Sequence, residues 1–531
     1  MLAQARIAIF LGRPFSAEAT ATYCWKFLKP RALFTASASG SASPIRPEPC
    51  DHGPRSIVPR LKFVIFVNGA VMLALAVFMG LTALLFRDTG AVFGVAALTV
   101  GLVGGLVMIA NGKPDGGLKP LHAFLLTSSV WIVAATAGAV PLAVWGMSPV
   151  DALFESMSGI TTTGSTVMTG LDTTPRGILF WRAVLQALGG IGFIVTGVAL
   201  LPILKVGGMQ LFRTESSEKG EKELANAARF AGATVTAYGF LMGLCAILYG
   251  IGGMSPFDAL THAMTTLSTG GYSTYDASFG HFDSAFLEYT ATLFMLLGGL
   301  PFAWYIRVAL KGRVASEQVT HLVIFVLGIS VLLTIWLVSV SEKPLETAFR
   351  EVVFNVVSVV TTTGYATADY TTWGTFSVAV FFALTAVGGC TGSTAGGAKM
   401  MRWIVFFRLS ATQIRTVHSP HAVIVARYEG RRIEDDVVSG VVTFFTFYFG
   451  TIGLLAVALA LVGLDMETAV GGALTSVANV GPGVGGIIGP AGNFQPLNDA
   501  AKLILAFGMF LGRLELLTVF VLFTPLFWRE L

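Results

Sequence analysis

Ten apolar runs, each long enough to cross a lipid bilayer, recur down this chain at residues 61–86, 89–111, 120–145, 177–204, 228–251, 285–310, 319–340, 373–409, 437–464 and 500–527. Spanning the hydrocarbon takes about 20 apolar residues in a helix. Repetition of such runs predicts an all-α polytopic membrane protein. The charge content agrees, since only 12% of the 531 residues are charged, against roughly 25% in a soluble domain.

The distribution of charge sets the expected orientation. Loops at 112–119, 205–229, 307–313 and 399–435 hold 17 Lys or Arg, whereas the alternate stretches 145–176, 253–284, 341–372 and 464–499 hold three: Arg176, Lys343 and Arg350. Positive residues resist export, so the first set is expected on the cytoplasmic side, together with both termini. The opposite stretches carry 13 Asp or Glu, among them Asp151, Glu155, Asp258, Asp276, Glu351, Asp369 and Asp465. Such a surface either attracts cations or solvates ordinary loops.

Other chemistry is sparse. Cys24, Cys50, Cys245 and Cys390 show no metal-ligand spacing, so neither a disulfide framework nor a CxxC site follows. The histidines, including His122, His262, His281, His321 and His418, form no HExxH or similar arrangement. No enzyme and no cofactor are expected. Residues 1–57 differ in composition from the rest, with seven Lys or Arg against three acids, and suit a targeting segment, a disordered tail or an unused upstream start.

The chain repeats itself. GMSPVDAL at 146–153 returns as GMSPFDAL at 253–260, and the same shift places Gly164 on Gly271, so that ITTTGST meets LSTGGYS. FNVVSVVTTTGYA at 354–366 repeats the pattern, with Phe354 over Phe154 and Ser358 over Ser158. ALTSVANVGPGVG at 473–485 is a weaker fourth copy, with Gly481 in register. Each copy runs from a long apolar span through a short amphipathic piece and a Thr/Gly stretch into another long span. The short piece cannot cross lipid and is expected to enter and return. Non-helical backbone at membrane depth is tolerated only where protein buries it or it lines an aqueous path. Four such segments are therefore expected to meet on one axis as a pseudo-fourfold site.

A ring of this kind suits a cation. Backbone carbonyls replace lost hydration water, glycine supplies the backbone angles that aim them, and threonine adds a hydroxyl. The candidate residues are Thr161, Thr162, Thr163 and Gly164; Ser268, Thr269, Gly270 and Gly271; Thr361, Thr362, Thr363 and Gly364; and Asn479, Val480 and Gly481. A pore helix entering from outside would aim its negative C-terminal end at the centre. No Lys or Arg lies within the four stretches.

Two further features bear on conduction. GGCTGSTAGGAK at 388–399 interrupts the 373–409 span with glycines that a helix accommodates poorly. It superficially resembles a nucleotide-binding P-loop but has no preceding strand. It is expected to be a mobile intramembrane loop or a packing kink. Arg513, in FLGRLELL, is expected about 15 residues and roughly 22 Å inward along the last span, either as an electrostatic barrier below the filter or in a structural ion pair. Glu515, two residues on, is expected to point elsewhere.

At these residues the chain resembles the Trk-type potassium uptake proteins, a superfamily that includes the Ktr and plant HKT transporters. The resemblance runs from about residue 60 to the end. It rests on the four filters and on WRAVLQALGGIGFIV at 181–195, GGMQLFRTE at 207–215, LGGLPFAWYIR at 297–307, GGCTGSTAGGAK at 388–399 and MFLGRLELL at 509–517. GGMQLFR and the extra N-terminal helix pair favour the bacterial Trk branch. The resemblance implies four membrane-pore-membrane repeats around one potassium path, here at 120–210, 211–315, 316–432 and 433–531 after a helix pair at 58–119; the extension at 1–57 departs from the family, which offers no role for it. The four glycines become the potassium filter, and glycine rather than serine at Gly164 supports potassium over sodium. The loop carrying Gly388, Gly389, Gly392, Ser393, Thr394, Gly396 and Gly397 becomes a gate, with Lys399 and Arg513 at its associated positive positions. A bacterial inner-membrane location is implied, with lipid around the protein and no nucleic acid. So are a homodimer and a cytosolic nucleotide-binding regulatory subunit of the TrkA type, for which the basic loops at 205–229 and 399–435 are plausible docking surfaces. The competing expectations are a sodium-permeable or sodium-coupled relative and, from another class, a membrane enzyme or a non-conducting sensor.

Overall fold

Backbone hydrogen bonding within each apolar run makes helices of them, and the breaks fall where the sequence interrupts the apolar pattern. The computed structural model describes residues 58–112, 120–199, 221–312, 314–419, 421 and 424–530. The 1–57 extension, the GGMQLFRTE stretch and most of the basic 205–229 loop lie outside the described residues. Ile57–Leu531 forms one unit.

The unit opens with α1 (Val58–Leu85) and α2 (Gly90–Asn111), which cross closely at glycines. A Cβ on Gly69 would stand 2.9 Å from the Gly104 carbonyl oxygen, and one on Gly104 would stand 2.9 Å from that of Gly69. Small residues permit such approach in lipid, where helices gain from packing rather than from burying apolar surface. Their outer sides stay apolar, with Leu84 and Ile109 each 80% exposed.

The rest follows a fourfold order. α3 (Pro120–Trp145), the short α4 (Pro149–Ile160) and α5 (Arg176–Ala199) come first. α6 (Glu221–Ile251), the short α7 (Pro256–Leu267) and the bent pair α8 (Ala285–Gly298) and α9 (Phe302–Lys311) come second. Third are α10 (Glu317–Val340), α11 (Leu345–Val360), α12 (Thr375–Thr385) and α13 (Met400–His418). Fourth are α14 (Asp435–Leu461), α15 (Met466–Ala478), α16 (Asp499–Arg513), α17 (Leu517–Phe520) and α18 (Pro525–Glu530). The short members have 12, 12, 16 and 13 residues, below a membrane span.

The repeated SP-x-D sequence explains why two of the short helices start where they do. Ser148 and Ser255 accept the N–H of Asp151 and Asp258 at 3.1 Å, and Pro149 and Pro256 occupy a first turn that needs no donor. Asp465 caps the fourth in the same way, accepting the Thr468 N–H at 3.0 Å.

Of the ten runs, seven form single helices long and apolar enough to cross a membrane, and two more are bent pairs, at 89° and 103°. The 89° bend falls at Pro301, whose missing N–H cannot continue α8. The 373–409 run is divided into α12 and α13 by non-helical chain. Two expectations need correction here. The supposed loop at 399–435 begins as the helix α13 and holds a two-stranded hairpin, Arg427–Tyr428 with Arg431–Arg432, turned on Glu429 and Gly430 at positive φ. Lys399 and Arg402, counted among its basic residues, are buried at 2% and 0% exposure. The expected acidic surface is free only in part, with Asp172, Asp276, Asp283, Glu342, Glu346, Asp465, Glu467 and Asp499 exposed. Glu155 is fully buried against Arg182, Asp258 is buried, and Asp151 and Glu351 pair with Lys502 and Lys343.

Candidate ion-conducting site

The C-terminal ends of the four short helices converge, and the chain leaves each helix by the same route. The residue two before the aligned glycine adopts a left-handed backbone in every copy: Thr162 at φ 54°, Thr269 at 48°, Thr362 at 58° and Asn479 at 56°. The glycines follow at 88°, 74°, 85° and 107° for Gly164, Gly271, Gly364 and Gly481. Left-handed backbone is costly for threonine, of the order of 1–3 kcal/mol, and persists where surrounding contacts dictate it. Here the contacts are shared. The N–H between the two special residues bonds back to a main-chain carbonyl of the helix in each copy: Thr163 to that of Ser158 at 2.9 Å, Gly270 to that of Thr265 at 2.9 Å, Thr363 to that of Ser358 at 2.8 Å and Val480 to that of Thr475 at 3.1 Å.

The four segments close on one another in a ring. A Cβ on Gly164 would collide with the Gly270 carbonyl oxygen, one on Gly271 with that of Thr363, and one on Gly364 with that of Val480. A Cβ on Gly481 would stand 2.7 Å from the Thr163 carbonyl oxygen, which returns the sequence to its start. Every glycine thus faces the carbonyl that precedes the next glycine. All fifteen filter candidates lie in this ring, and Thr161, Thr163, Ser268, Thr269, Thr361, Thr363, Asn479 and Val480 are fully buried. Two oxygens of these segments, Thr162 Oγ1 and Asn479 Oδ1, have no protein hydrogen-bond partner.

The glycine-rich loop packs against this ring. Its neck is pinched where Gly388 and Gly397, both at positive φ, touch backbone to backbone: a Cβ on Gly388 would stand 2.8 Å from the Gly397 Cα. Beyond the neck, the Met400 N–H reaches the Gly389 carbonyl at 2.9 Å, and the Phe302 N–H reaches that of Gly392 at 3.0 Å. Ser393 closes a local turn onto the Cys390 carbonyl at 2.6 Å. Two loop residues meet the filter segments. Gly396 donates its N–H to Thr362 Oγ1 at 2.6 Å, and the Thr394 hydroxyl receives that of Thr269 at 3.2 Å while reaching the Leu267 carbonyl at 3.0 Å.

Arg513 ends α16 where the chain turns sharply, rather than lying in mid-helix as expected. Its Nη1 donates to the Thr394 carbonyl at 2.9 Å, and its guanidinium lies 4.2 Å from the centre of the Phe193 ring. Lys399 shares the Phe193 ring at 4.7 Å and bonds the Ala395 carbonyl. Glu515 is not elsewhere on the helix as expected: Leu514, Glu515 and Leu516 leave it, and Glu515 pairs with Arg402. A pocket of about 10 Å³ behind the loop is lined by Gly396, Lys399, Arg513 and Glu515, among others. That volume admits one water and no hydrated cation.

Sequence reasoning missed the layer behind the ring. Arg182, fully buried on α5, donates to Glu155 at 2.8 Å and to the Ser273 carbonyl at 2.9 Å, and lies 4.0 Å over the Tyr272 ring. Gln186, one turn on, bonds the second filter segment. The signal available was a charge and an amide inside an apolar span, which rarely occur without a polar partner.

Comparison with known proteins agrees over nearly the whole described chain. The TrkH family, described as cation transport protein, matches residues 102–529. The Trk system potassium uptake protein TrkI of Halomonas elongata is 45% identical over 88% of this chain and 97% of its own. The Trk system potassium uptake protein TrkH of Escherichia coli is 36% identical over 85% and 95%. The crystal structure of the potassium transporter TrkH from Vibrio parahaemolyticus superposes with a TM-score of 0.82 at 31% identity, covering 88% of this chain and all of that one.

Proposed function

The chain belongs to the TrkH family of cation transport proteins, and from that premise we propose that it takes up potassium through the ring of four filter segments, with the 388–399 loop as its gate. It is a transporter, not an enzyme, and potassium is its cargo rather than a cofactor. The observation that carries the reading is the closed circuit of glycines and carbonyls contributed by one polypeptide. A dehydrating cation requires substitute oxygens from several sides at once. Four helix C-termini add negative potential at the same point, and no basic residue lies within the four segments.

The gate reading draws on what lies against the ring. Passage demands that the loop part from Thr362 and Thr269, and that the buried cations Arg513 and Lys399 cease to face the path. A conformational change that breaks the Thr394–Arg513 bond answers both requirements. Four repeats at 120–210, 211–315, 316–432 and 433–531, a bacterial inner-membrane setting with cytoplasmic termini, a homodimer and a cytosolic nucleotide-binding subunit complete the proposal.

Rubidium uptake into cells that lack their own potassium uptake, measured with and without competing sodium, tests this reading. Uptake that sodium does not suppress supports it. Equal permeation of both ions favours the sodium-permeable alternative, and absence of flux from protein present in the membrane removes the transport reading. Deleting residues 391–395 is expected to raise flux; unchanged flux removes the gate.

A further inference from the structure

The second filter segment departs from the others at one position. Where the first, third and fourth carry Thr163, Thr363 and Val480 before the aligned glycine, the second carries Gly270. Gly270 is not among the glycines at positive φ, so its backbone does not call for glycine. The reason is volume. The three atoms nearest a Cβ placed there all belong to the side chain of Gln186, including Nε2 at 2.8 Å.

Gln186 is fully buried on α5, in a different repeat from the segment it touches. Its Nε2 donates to the Gly270 carbonyl at 2.6 Å, and its Oε1 accepts the Tyr272 N–H at 3.1 Å. One partner only accepts and the other only donates, which fixes the orientation of the amide. The two bonds bracket Gly271, the residue that faces the Thr363 carbonyl in the ring. In the first and third segments the corresponding job falls to a hydroxyl pair within the segment, Thr161 with Thr163 and Thr361 with Thr363, at 2.8 Å each. Ser268 alone remains of that pair in the second.

We infer that Gln186 is a specificity-determining positioning residue: its side-chain amide replaces the missing hydroxyl pair and holds the second quarter of the filter at the spacing that separates potassium from sodium. This rests on the potassium reading above. The chemistry is particular to an amide. A carboxylate could accept from Tyr272 but would set a lone pair against the Gly270 carbonyl, and an apolar side chain of the same length would strand both groups in a buried site. It also predicts an exchange: with Gln186 shortened, a threonine at 270 has both the room and, in Ser268, a hydroxyl partner.

The test compares rubidium uptake, sodium competition and membrane abundance for the wild type, Gln186→Leu, Gln186→Glu, Gly270→Thr and the double variant Gln186→Ala with Gly270→Thr. Wild-type uptake reports on the transport reading by itself, so its failure is separable from failure of this inference. Gln186→Leu and Gln186→Glu are expected at normal abundance with discrimination lowered roughly tenfold, the size of one buried hydrogen bond. Normal discrimination in both overturns the inference. Should these singles not accumulate, the exchange decides. Gly270→Thr alone is expected to lose uptake, because its side chain meets the amide, and the added Gln186→Ala is expected to restore selective uptake. A double variant no better than Gly270→Thr alone overturns the inference.

Discussion

In the first and third quarters of the ring, hydroxyl pairs close within the segment. In the second and fourth, the same two places hold Ser268 with Gly270 and Ala478 with Val480, and support comes by another route: from Gln186 of α5 in the one, and in the other from the segment's own Asn479, which donates to Thr163 Oγ1 at 3.0 Å and to the Met509 carbonyl at 2.9 Å. The backbone route is nonetheless common to all four. What is held constant is therefore the path of the main chain, fixed by the left-handed step and the bond back to the helix, while the side chains that brace it vary. The next layer varies more. Nine residues before the aligned glycine stand Glu155, His262, Asn355 and Gly472: an ion-paired carboxylate, an imidazole 3.2 Å from Ser273 Oγ, an amide 3.1 Å from Thr367 Oγ1, and no side chain.

This contrast breaks or sharpens under mutation. The largest effect is expected from Arg182→Ala, which strands the buried Glu155 carboxylate behind the first quarter at a cost of about 3–5 kcal/mol. Asn355→Ala, behind the third, leaves no charge unpaired and should cost about 1–3 kcal/mol. Thermal unfolding of the purified protein ranks the two, and equal shifts would contradict the difference drawn between these quarters. A smaller effect, read in selectivity, is expected at the glycines. Gly364→Ser forces a side chain against the Val480 carbonyl at φ 85°, and a roughly tenfold to hundredfold loss of potassium over sodium discrimination follows from strain of about 1–3 kcal/mol. Gly481→Ser, whose Cβ has 2.7 Å to its nearest oxygen, should lose less; the reverse order would mean that the fourth quarter bears as tightly on the ring as the third. Least affected should be Thr361→Val, which removes one hydroxyl pair and costs about 1 kcal/mol, with uptake retained.

Much of this was legible in the sequence because repetition carries geometry. GMSP-x-DAL marked two helix starts, and glycine in register in four Thr/Gly stretches was enough to place the ring, since both signals act within a few residues. The breaks were partly legible: Pro301 and the glycines of 388–399 announce themselves, whereas the turn after Arg513 contains neither proline nor glycine and is made by Glu515 and Leu516 at positive φ. Least legible was what depends on distant partners, whose identity the sequence does not name. Glu155 reads as a loop acid until α5 brings Arg182 to it, Arg402 reads as a loop cation until Glu515 arrives, and Gln186 is an amide in an apolar span with no evident partner until the empty side of Gly270 comes beside it.

Because the ring is closed by a single covalent chain, its symmetry is approximate by construction, and a change in the gene alters one side of it where an assembly of four identical subunits would be altered on all sides together. On the function proposed above, ion preference is then open to adjustment in increments of one quarter, and no dilution of the protein takes the ring apart.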